Sequence, residues 1–510
     1  MAVGSSEELG RLATDATQRI ELGGRTVLPG LNDAHAHLGA PLPGIAFRTS
    51  DDPVPDPPLG VVLDSISALV ARVPAGTWLR SSIDATILDD PHARRAALDS
   101  VAPRHPVWLG ANTGHGMIVN SAGLRALDIP DDPPDPAGGF YEREDAPYPG
   151  RGRGRITGLL HEYAGSNAGQ RLRSAQPDSI LVADMRRYGE RALRLGITSV
   201  QNVTMQYDAA TTLRVQRMAG LPIRVRVIPM PATGSNGRLT SEWRTAIANE
   251  SRRGAGRGPR IRISGRKWIL DGTGIERLAL LKSPYQDRPG WRGAANFSPD
   301  TLRAMLHESL IAGEQPILHA IGDSTIAIVL STMESLAPDS TWRRLRPRLE
   351  HAEWLTSELR ERARRKGIIA VENPLHFADP PELIRARFGT ERERGYQPFG
   401  SLLAARIPVA IGSDGPMNPF LNLQFAVTHP ANPREALTLE QAVIAYTRTS
   451  AYAEHQEHEK GTIARGMLAD LIVLSHDIFS MPPERLPDTS SVLTIVGGRI
   501  VFDALASDRR

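Results

Sequence analysis

The sequence has 510 residues, of which 41% are hydrophobic and 23% charged, a balance typical of globular proteins that excludes disorder as the main state. Its 60 Lys and Arg residues against 57 Asp and Glu residues leave a net charge of +3, which is too small to indicate a nucleic-acid or membrane surface. The absence of cysteine excludes disulfides, thiol nucleophiles, zinc–thiolate sites and iron–sulfur clusters.

The first residues, MAVGSSEELG, contain neither the basic segment nor the apolar segment of a signal peptide. No uninterrupted apolar run reaches the length of about 18 residues that a membrane span requires. We therefore expect a cytoplasmic protein that has no nucleic-acid or membrane partner and acts on a small molecule. Homodimer formation is left open by the sequence.

The region from about 39 to 178 is predicted to be loop-rich, because Pro, Gly and Asp dominate residues 51–58, 129–139 and 143–155. Beyond it, short β-branched runs alternate with amphipathic segments such as 180–196 and 301–313, a pattern typical of parallel βα units. Counting the run that precedes the loop-rich region, there are eight such runs, at 26–37, 197–203, 223–229, 261–272, 316–323, 348–354, 367–374 and 407–414.

Eight strands with intervening helices predict an α/β fold, a (β/α)8 TIM-type barrel with a large insertion at about 39–178 after the first strand. The segments 461–477 and 491–503 are β-rich and share a Gly-Gly turn at 497 and 498, so they are expected to lie outside the barrel. With a short strand at 19–24, they would form a small β-sandwich domain from 1–25 and 455–510, leaving 26–454 as the barrel domain.

Histidines and an aspartate end four of the predicted strands. His35 and His37 lie two residues apart in the first run, which directs both side chains to one face. Exposed histidines are the simpler interpretation of such a pair alone, but His319, His351 and Asp414 end three further runs. Since the active site of such a barrel lies at the carboxyl ends of its strands, these residues predict a metal site there.

Lys267 lies in the fourth run, within RKWILDG. A salt-bridging lysine is the ordinary interpretation, but the chain contains only four lysines among its 60 basic residues. A lysine amine of lowered pKa can take up carbon dioxide to form an anionic carboxylate, which an arginine cannot do. We therefore expect Lys267 to serve as an anionic bridge between two metal ions.

Six segments together carry a resemblance to a known family: VLPGLNDAHAHL, KWILDG, ILHAIGD, LEHAEW, AIGSDGP and GMLADLIVL. The chain resembles the amidohydrolase superfamily, and specifically its YtcJ-like branch, which includes N-substituted formamide deformylases. The resemblance covers essentially the whole chain. MAVGSSEEL is similar to the end of the family's opening β-hairpin, so the strands that precede it are expected to be missing.

The resemblance implies a binuclear metal centre, usually zinc. It places His35, His37 and Asp414 on one ion and His319 and His351 on the other, with carboxylated Lys267 between them. His115 and Glu162 match family positions that face the pocket, and Arg277 and His376 are further candidates for substrate contact. Two departures bear on the substrate: Glu276-Arg277-Leu278-Ala279 replaces a Ser-Arg-Thr-Ala-like stretch, and Thr113 stands where relatives commonly carry Asp.

The implied reaction is hydrolysis of an amide or related C–N bond, of the N-substituted formamide or N-acyl amine type, by a metal-bridging hydroxide. Asp414 would accept the proton of the attacking water and pass it to the leaving amine. Ligand spacing leaves a cyclic-amide or ester hydrolase with the same centre open. A non-catalytic regulatory barrel is the alternative from another class, and it would be expected to have lost ligand residues.

Overall fold

The computed structural model describes residues 4–17, 19–47, 57–145, 152–231, 238–253 and 260–506. Most of the predicted loop at 51–58, and part of that at 143–155, lie outside the described residues. In the chain so described, no helix is both long enough and apolar enough to cross a membrane.

The eight predicted runs all contain strands, and the α/β class is confirmed. They form two parallel sheets. One has four strands, in the order Ile261–Ile263, Arg224–Pro229, Ile197–Thr204 and Leu31–Ala36. The other has five, in the order Arg266–Ile269, Pro316–Ala320, Arg348–His351, Ile369–Glu372 and Val409–Ile411.

The two parallel sheets are joined at both of their edges. At one edge the fourth run crosses between them, since Ser264 N donates to Val227 O while Arg266 N donates to Gln315 O. Gly265 between them has a φ of 79°, a left-handed conformation that favours glycine. At the other edge, the backbone N–H of Asp414 donates to the carbonyl of His35 over 2.7 Å.

Helices connect successive strands along the chain, at the positions that the sequence pattern predicts. The predicted helix at 180–196 is Asp178–Arg194, which buries Leu181, Met185 and Ala192. The one predicted at 301–313 is Pro299–Ala312, capped by Ser298. The α-helices of the described residues also include Ser6–Gly10, Leu59–Val70, Arg95–Val101, Ser121–Ala126, Tyr163–Ser174, Ala209–Ala219, Ser241–Arg253, Asp323–Leu336, Asp339–Leu345, Ser357–Arg365, Pro381–Glu393, Phe399–Ala404, Pro419–Thr428, Leu439–Ile444 and Ser450–Tyr452.

The expectation that the segment 39–178 is irregular was wrong. It contains a six-stranded mixed sheet, in the order Ile45–Ala46, Leu79–Ile83, Val107–Ala111, Gly116–Val119, Ile156–Glu162 and Gly139–Arg143. The Pro- and Gly-rich stretches connect these strands rather than replace them. This sheet carries His115 and Glu162 into the interior of the protein.

The chain termini meet in an antiparallel sheet, in the order Val27–Pro29, Leu471–Leu474, Ser491–Val496 and Arg499–Asp503. The predicted turn at Gly497 and Gly498 joins its last two strands. The expected strand at 19–24 is not formed, because Gly23 and Gly24 turn the chain with positive φ. Instead, the first run divides at Gly30, with its beginning in this sheet. Among the described residues this is one sheet, not the expected sandwich.

Candidate active site

The carboxyl ends of the parallel strands surround a cavity of about 1170 Å³. Its lining includes side chains from both parallel sheets and from the inserted sheet. Six of the predicted ligand positions are among them: His35, His37, Lys267, His319, His351 and Asp414. The structure therefore brings together residues that are spread over 379 positions of sequence.

His35, His37 and Asp414 form one side of this cluster. Asp414 Oδ1 lies 3.0 Å from His37 Nε2 and 3.5 Å from His35 Nε2. The other nitrogen of His37, Nδ1, lies 3.0 Å from the carbonyl oxygen of Val203, and this bond fixes the ring with Nε2 towards the carboxylate. Burial opposes the charge on Asp414, but the neighbouring histidines hold the pKa of this carboxyl well below its usual range.

His319 and His351 form the other side, with ring centroids 4.5 Å apart. Nε2 of His319 and Nδ1 of His351 are buried and have no hydrogen-bond partner among the described residues. Burial lowers the pKa of both imidazoles well below the usual value, which favours neutral rings with free lone pairs. His351 has a φ of 71° and Asp414 one of 55°, so both adopt a backbone conformation that is uncommon outside glycine.

The side chain of Lys267 reaches the cavity from the fourth run and is only 2% exposed. It makes no ion pair within the part of the chain that the structure describes. Burial lowers the pKa of its amine to about 8, against the opposing charges of Glu350 and Asp414. A fraction of this amine is therefore neutral near physiological pH, the form that reacts with carbon dioxide.

The cluster fits divalent metal ions in both its donor atoms and its surroundings. Ligand atoms of His35, His351 and Asp414 lie within 4.8 Å of one another. Imidazole and carboxylate together are the donors that zinc and similar ions prefer. Metal-binding histidines commonly give their second nitrogen to a carbonyl or carboxylate. His37 meets this pattern through Val203, and His35 through Glu350.

Glu350, for which the sequence favoured a packing role in the strand, contacts His35 in the cluster. Its Oε2 lies 2.6 Å from His35 Nδ1, and both oxygens accept hydrogen bonds of 2.8 Å from Arg348. All three side chains are buried. Burial would raise the pKa of Glu350, but Arg348 and His35 hold it well below its usual range. The sequence signal was a pair of opposite charges two residues apart within an apolar strand.

His115 and Glu162 meet at the wall of the cavity, as part of the inserted sheet. His115 Nδ1 lies 2.9 Å from Glu162 Oε2, and its ring packs 4.9 Å from that of His319. Burial disfavours the charged imidazole, but Glu162 raises the pKa of His115 to about 9. Asn296 also donates to Glu162. Glu162 therefore holds His115 in place, and His115 is the residue of the two that lines the cavity.

His376 lines the cavity on the opposite side. Its Nε2 lies 3.4 Å from Asp414 Oδ2 and its Nδ1 lies 3.1 Å from Glu353 Oε1. Burial disfavours the imidazolium, but hydrogen bonds to Asp414 and Glu353 raise the pKa of His376 to about 10. The Asp414 carboxylate is thus held between histidines on two sides.

Arg277 is not brought to the cavity. Its guanidinium donates to Asp287 over 2.8 Å and to Asp89 over 2.5 Å, and Arg387 binds the same two carboxylates. Its neighbour in sequence, Glu276, is buried and accepts a hydrogen bond from Thr113, which lines the cavity.

The chain is similar to known proteins over nearly its whole length. The Amidohydrolase family matches residues 18–502. Protein LONG AFTER FAR-RED 3 of Arabidopsis thaliana is 27% identical over 98% of this chain and 86% of its own length. Putative amidohydrolase YtcJ of Bacillus subtilis is 27% identical over 98% of this chain and 93% of its own. N-substituted formamide deformylase of Arthrobacter pascens is 26% identical over 99% of this chain and 93% of its own length.

The fold is shared with a solved structure of an uncharacterized metal-dependent hydrolase from Pyrococcus horikoshii. That structure has a TM-score of 0.67 and 21% identity, covering 94% of this chain and 91% of its own. The resemblance seen in the sequence motifs is confirmed over nearly the whole length. The chain belongs to the amidohydrolase family and is similar to YtcJ and to the N-substituted formamide deformylase over nearly its whole length.

Proposed function

We propose that this protein hydrolyses an amide or related C–N bond, with an N-substituted formamide or N-acyl amine as substrate, at a centre of two zinc ions. The observation that carries the proposal is that His319 Nε2 and His351 Nδ1 are buried without a hydrogen-bond partner among the described residues. Ligand atoms of His351 also lie within 4.8 Å of those of His35 and Asp414. Unpaired polar atoms in a buried site cost about 1 to 3 kcal/mol each, a penalty that metal binding removes.

The scaffold of this site is a closed (β/α)8 barrel. Both edges of the two parallel sheets are joined by backbone hydrogen bonds, at Ser264 and Arg266 on one side and at Asp414 on the other. In such a barrel the strands deliver their last side chains to a common rim. Barrel closure would explain why residues from five strands line one cavity.

The ligand set follows from the side chains at that rim. Divalent cations bound there supply Lewis-acid activation of water and of the scissile carbonyl. His35, His37 and Asp414 would hold one ion, His319 and His351 would hold the other, and Lys267, carboxylated at Nζ, would supply an anionic ligand to both. Four neutral imidazoles and one aspartate would leave much of the charge of two divalent ions uncompensated, so an anionic lysine carbamate is favoured.

Asp414 acts as the proton carrier of the reaction. It takes a proton from the attacking water as the water oxygen bonds to the carbonyl carbon. The C–N bond then breaks, and the leaving nitrogen receives that proton from Asp414. His376, 3.4 Å from Oδ2, keeps the carboxylate oriented and is itself held by Glu353.

His115 binds the substrate carbonyl. Its Nδ1 is engaged by Glu162, so Nε2 is the nitrogen that it can offer to a ligand. The raised pKa of His115 keeps this ring a hydrogen-bond donor at neutral pH. A donor at this position stabilises negative charge that develops on the carbonyl oxygen.

The experiment combines metal analysis with a substrate screen. Purified protein is dialysed against a chelator, reloaded with Zn²⁺, and tested on N-substituted formamides, N-acyl amines, cyclic amides and esters. We expect two zinc ions per chain and turnover of the open-chain amides. Turnover of cyclic amides or esters alone would contradict the substrate class. Failure of the protein to retain zinc would contradict the centre and would favour a non-catalytic barrel.

A further inference from the structure

Three arginines line the cavity in addition to the histidines: Arg173, Arg187 and Arg191. Asp184, which also lines it, is paired with Arg187 over 2.8 Å. Arg173 and Arg191 form no ion pair with a carboxylate of the described residues. Unpaired positive charge of this kind attracts anions.

Arg173 is the arginine of this group that lies deepest, in the last turn of the helix Tyr163–Ser174. Its Nε donates to the carbonyl of Ala40 over 3.2 Å, and no carboxylate of the described residues forms an ion pair with it. A Cβ at Gly169 would lie 2.6 Å from Arg173 Nη1 and 3.6 Å from the Trp108 ring. The guanidinium therefore lies over this glycine, beside an aromatic wall of the cavity.

A second positive charge, that of Arg80, acts on Arg173. Burial lowers the pKa of Arg173 to about 10, and the charge of Arg80 adds to this effect against an opposing contribution from Tyr207. Nε of Arg80 is itself buried with no hydrogen-bond partner among the described residues. Two arginines placed this way repel each other, and a bound anion would relieve that repulsion.

Arg173 is held at a fixed position relative to the predicted metal ligand His37. The segment that follows His37 is anchored at Leu38, whose N–H donates to Asn202 over 2.9 Å, and at Ala40, whose N–H donates to the Tyr207 hydroxyl. Arg173 binds the carbonyl of the same Ala40. The Cα atoms of His37 and Ala40 are at most about 11 Å apart, so one small molecule can contact both the histidine cluster and Arg173.

We propose that Arg173 forms a carboxylate-binding subsite, and that the substrate is an amide whose far end carries a carboxylate group. The inference rests on the proposed function for the amide end of the substrate. A guanidinium presents parallel donors that match a planar carboxylate, and Nη1 and Nη2 remain available for this after Nε has bound Ala40. The Trp108 ring and Met117, which also line the cavity, suit an apolar body between the two ends.

The first test uses the wild-type, zinc-loaded enzyme. The substrates are N-formyl- and N-acetyl-ω-amino acids of increasing chain length, each compared with its neutral carboxamide. We expect one chain length at which kcat/KM for the acid exceeds that for the carboxamide by about 10- to 100-fold, the range of a charge-assisted hydrogen bond. Equal kcat/KM values at every chain length would overturn the subsite.

The second test uses variants at the same helix. Arg173→Met should bring the ratio of acid to carboxamide close to unity, chiefly through KM for the acid. Arg173→Lys should keep part of the preference for the acid, because it retains the positive charge but loses the parallel N–H donors of the guanidinium. Arg171→Met is the matched control, since Arg171 is exposed on the same helix, and it should leave the wild-type ratio unchanged. A wild-type ratio in Arg173→Met would overturn the proposal.

Binding measurements separate this inference from the proposed function. Isothermal titration calorimetry with the acid of best length, on wild-type and Arg173→Met protein, reports the subsite without turnover. If no amide is hydrolysed, the proposed function fails, while weaker acid binding in Arg173→Met still supports the subsite. If neutral and acidic amides are hydrolysed and bound alike, the function stands and the subsite is overturned.

Discussion

Replacing Glu350 by Gln tests whether its buried ion pair with Arg348 orients His35, a proposed metal ligand. The substitution keeps the size and shape of the side chain but removes its charge. In the wild-type protein Glu350 accepts two 2.8 Å hydrogen bonds from Arg348 and lies 2.6 Å from His35 Nδ1. All three side chains are buried, so no solvent compensates for the loss.

Two effects of Glu350→Gln can be estimated separately. Removing one partner of a buried ion pair costs about 3 to 5 kcal/mol. We expect the lower end, about 3 kcal/mol, because Arg348 keeps hydrogen bonds to Gln201 Oε1 and to the carbonyl of Ala34. Loss of a carboxylate that orients a metal-binding histidine typically weakens metal binding about 10- to 100-fold.

The two effects call for two assays. The free energy of unfolding is measured by urea denaturation of the metal-free protein, so that metal binding does not contribute. Zn²⁺ affinity is measured by competition with a chromophoric chelator. Glu358→Gln is the control, because Glu358 pairs with Lys282 on the surface with both side chains about 70% exposed. It should change stability by less than about 1 kcal/mol and leave Zn²⁺ affinity as it was.

Unchanged Zn²⁺ affinity in Glu350→Gln would refute the orienting role, whatever happens to stability. Unchanged stability with weaker Zn²⁺ binding would instead show that the Arg348 pair contributes little to the fold. Both outcomes differ from the expected result, in which the free energy of unfolding falls by about 3 kcal/mol and Zn²⁺ binds at least about tenfold more weakly.

Asp414→Asn should retain zinc, as elemental analysis would show, yet lose about 10²- to 10⁴-fold in kcat, because an amide cannot carry the proton; near-full activity would contradict the role. Lys267→Arg keeps the charge but cannot be carboxylated, so zinc content should fall below two ions per chain. Full occupancy with wild-type turnover would leave Lys267 a structural residue. Asp470→Asn breaks the buried pair that joins Arg224 to the terminal sheet, with bonds of 2.7 and 3.0 Å, and should cost about 3 kcal/mol in urea denaturation. Its control, exposed Asp488→Asn, should cost less than about 1 kcal/mol, and equal costs would contradict the estimate.

The sequence was sufficient to predict the strands that carry the cluster. Each of these strands is buried along its length, and the short apolar stretches in or beside them are readable without structure. The polar residue that ends such a run is conspicuous, and His319, His351 and Asp414 were found in this way. The spacing of His35 and His37 needs only the alternation of a strand.

The inserted sheet could not be predicted by the same reasoning. Its strands are short, and they pair over long separations and in both directions: Gly116–Val119 lies antiparallel to Ile156–Glu162, whereas Leu79–Ile83 lies parallel to Val107–Ala111. Composition between them is dominated by Pro and Gly, which mark turns but do not reveal what the turns connect. The local sequence therefore predicted a loop, and it gave no indication of which strands pair in the folded protein.

Side-chain direction was the second limit. Arg277 is adjacent to Glu276, but its φ of 59° turns it towards Asp89 and Asp287 and away from the cavity. Glu350 is adjacent to His351, yet its partner is His35, which lies 315 positions away. A motif identifies which residues occur together in the chain, whereas these contacts depend on backbone angles and on distant strands.

Thr113 and Glu276, two positions at which the sequence departs from the pattern of the family it resembles, meet in one contact. They lie 163 positions apart, and the Thr113 hydroxyl donates a hydrogen bond to the Glu276 carboxylate. Burial of Glu276 is offset by His161 and His115, which hold its pKa below the usual value. Because the contact depends on how the inserted sheet packs against the loop that follows the fourth run, neither position reveals its partner in the sequence.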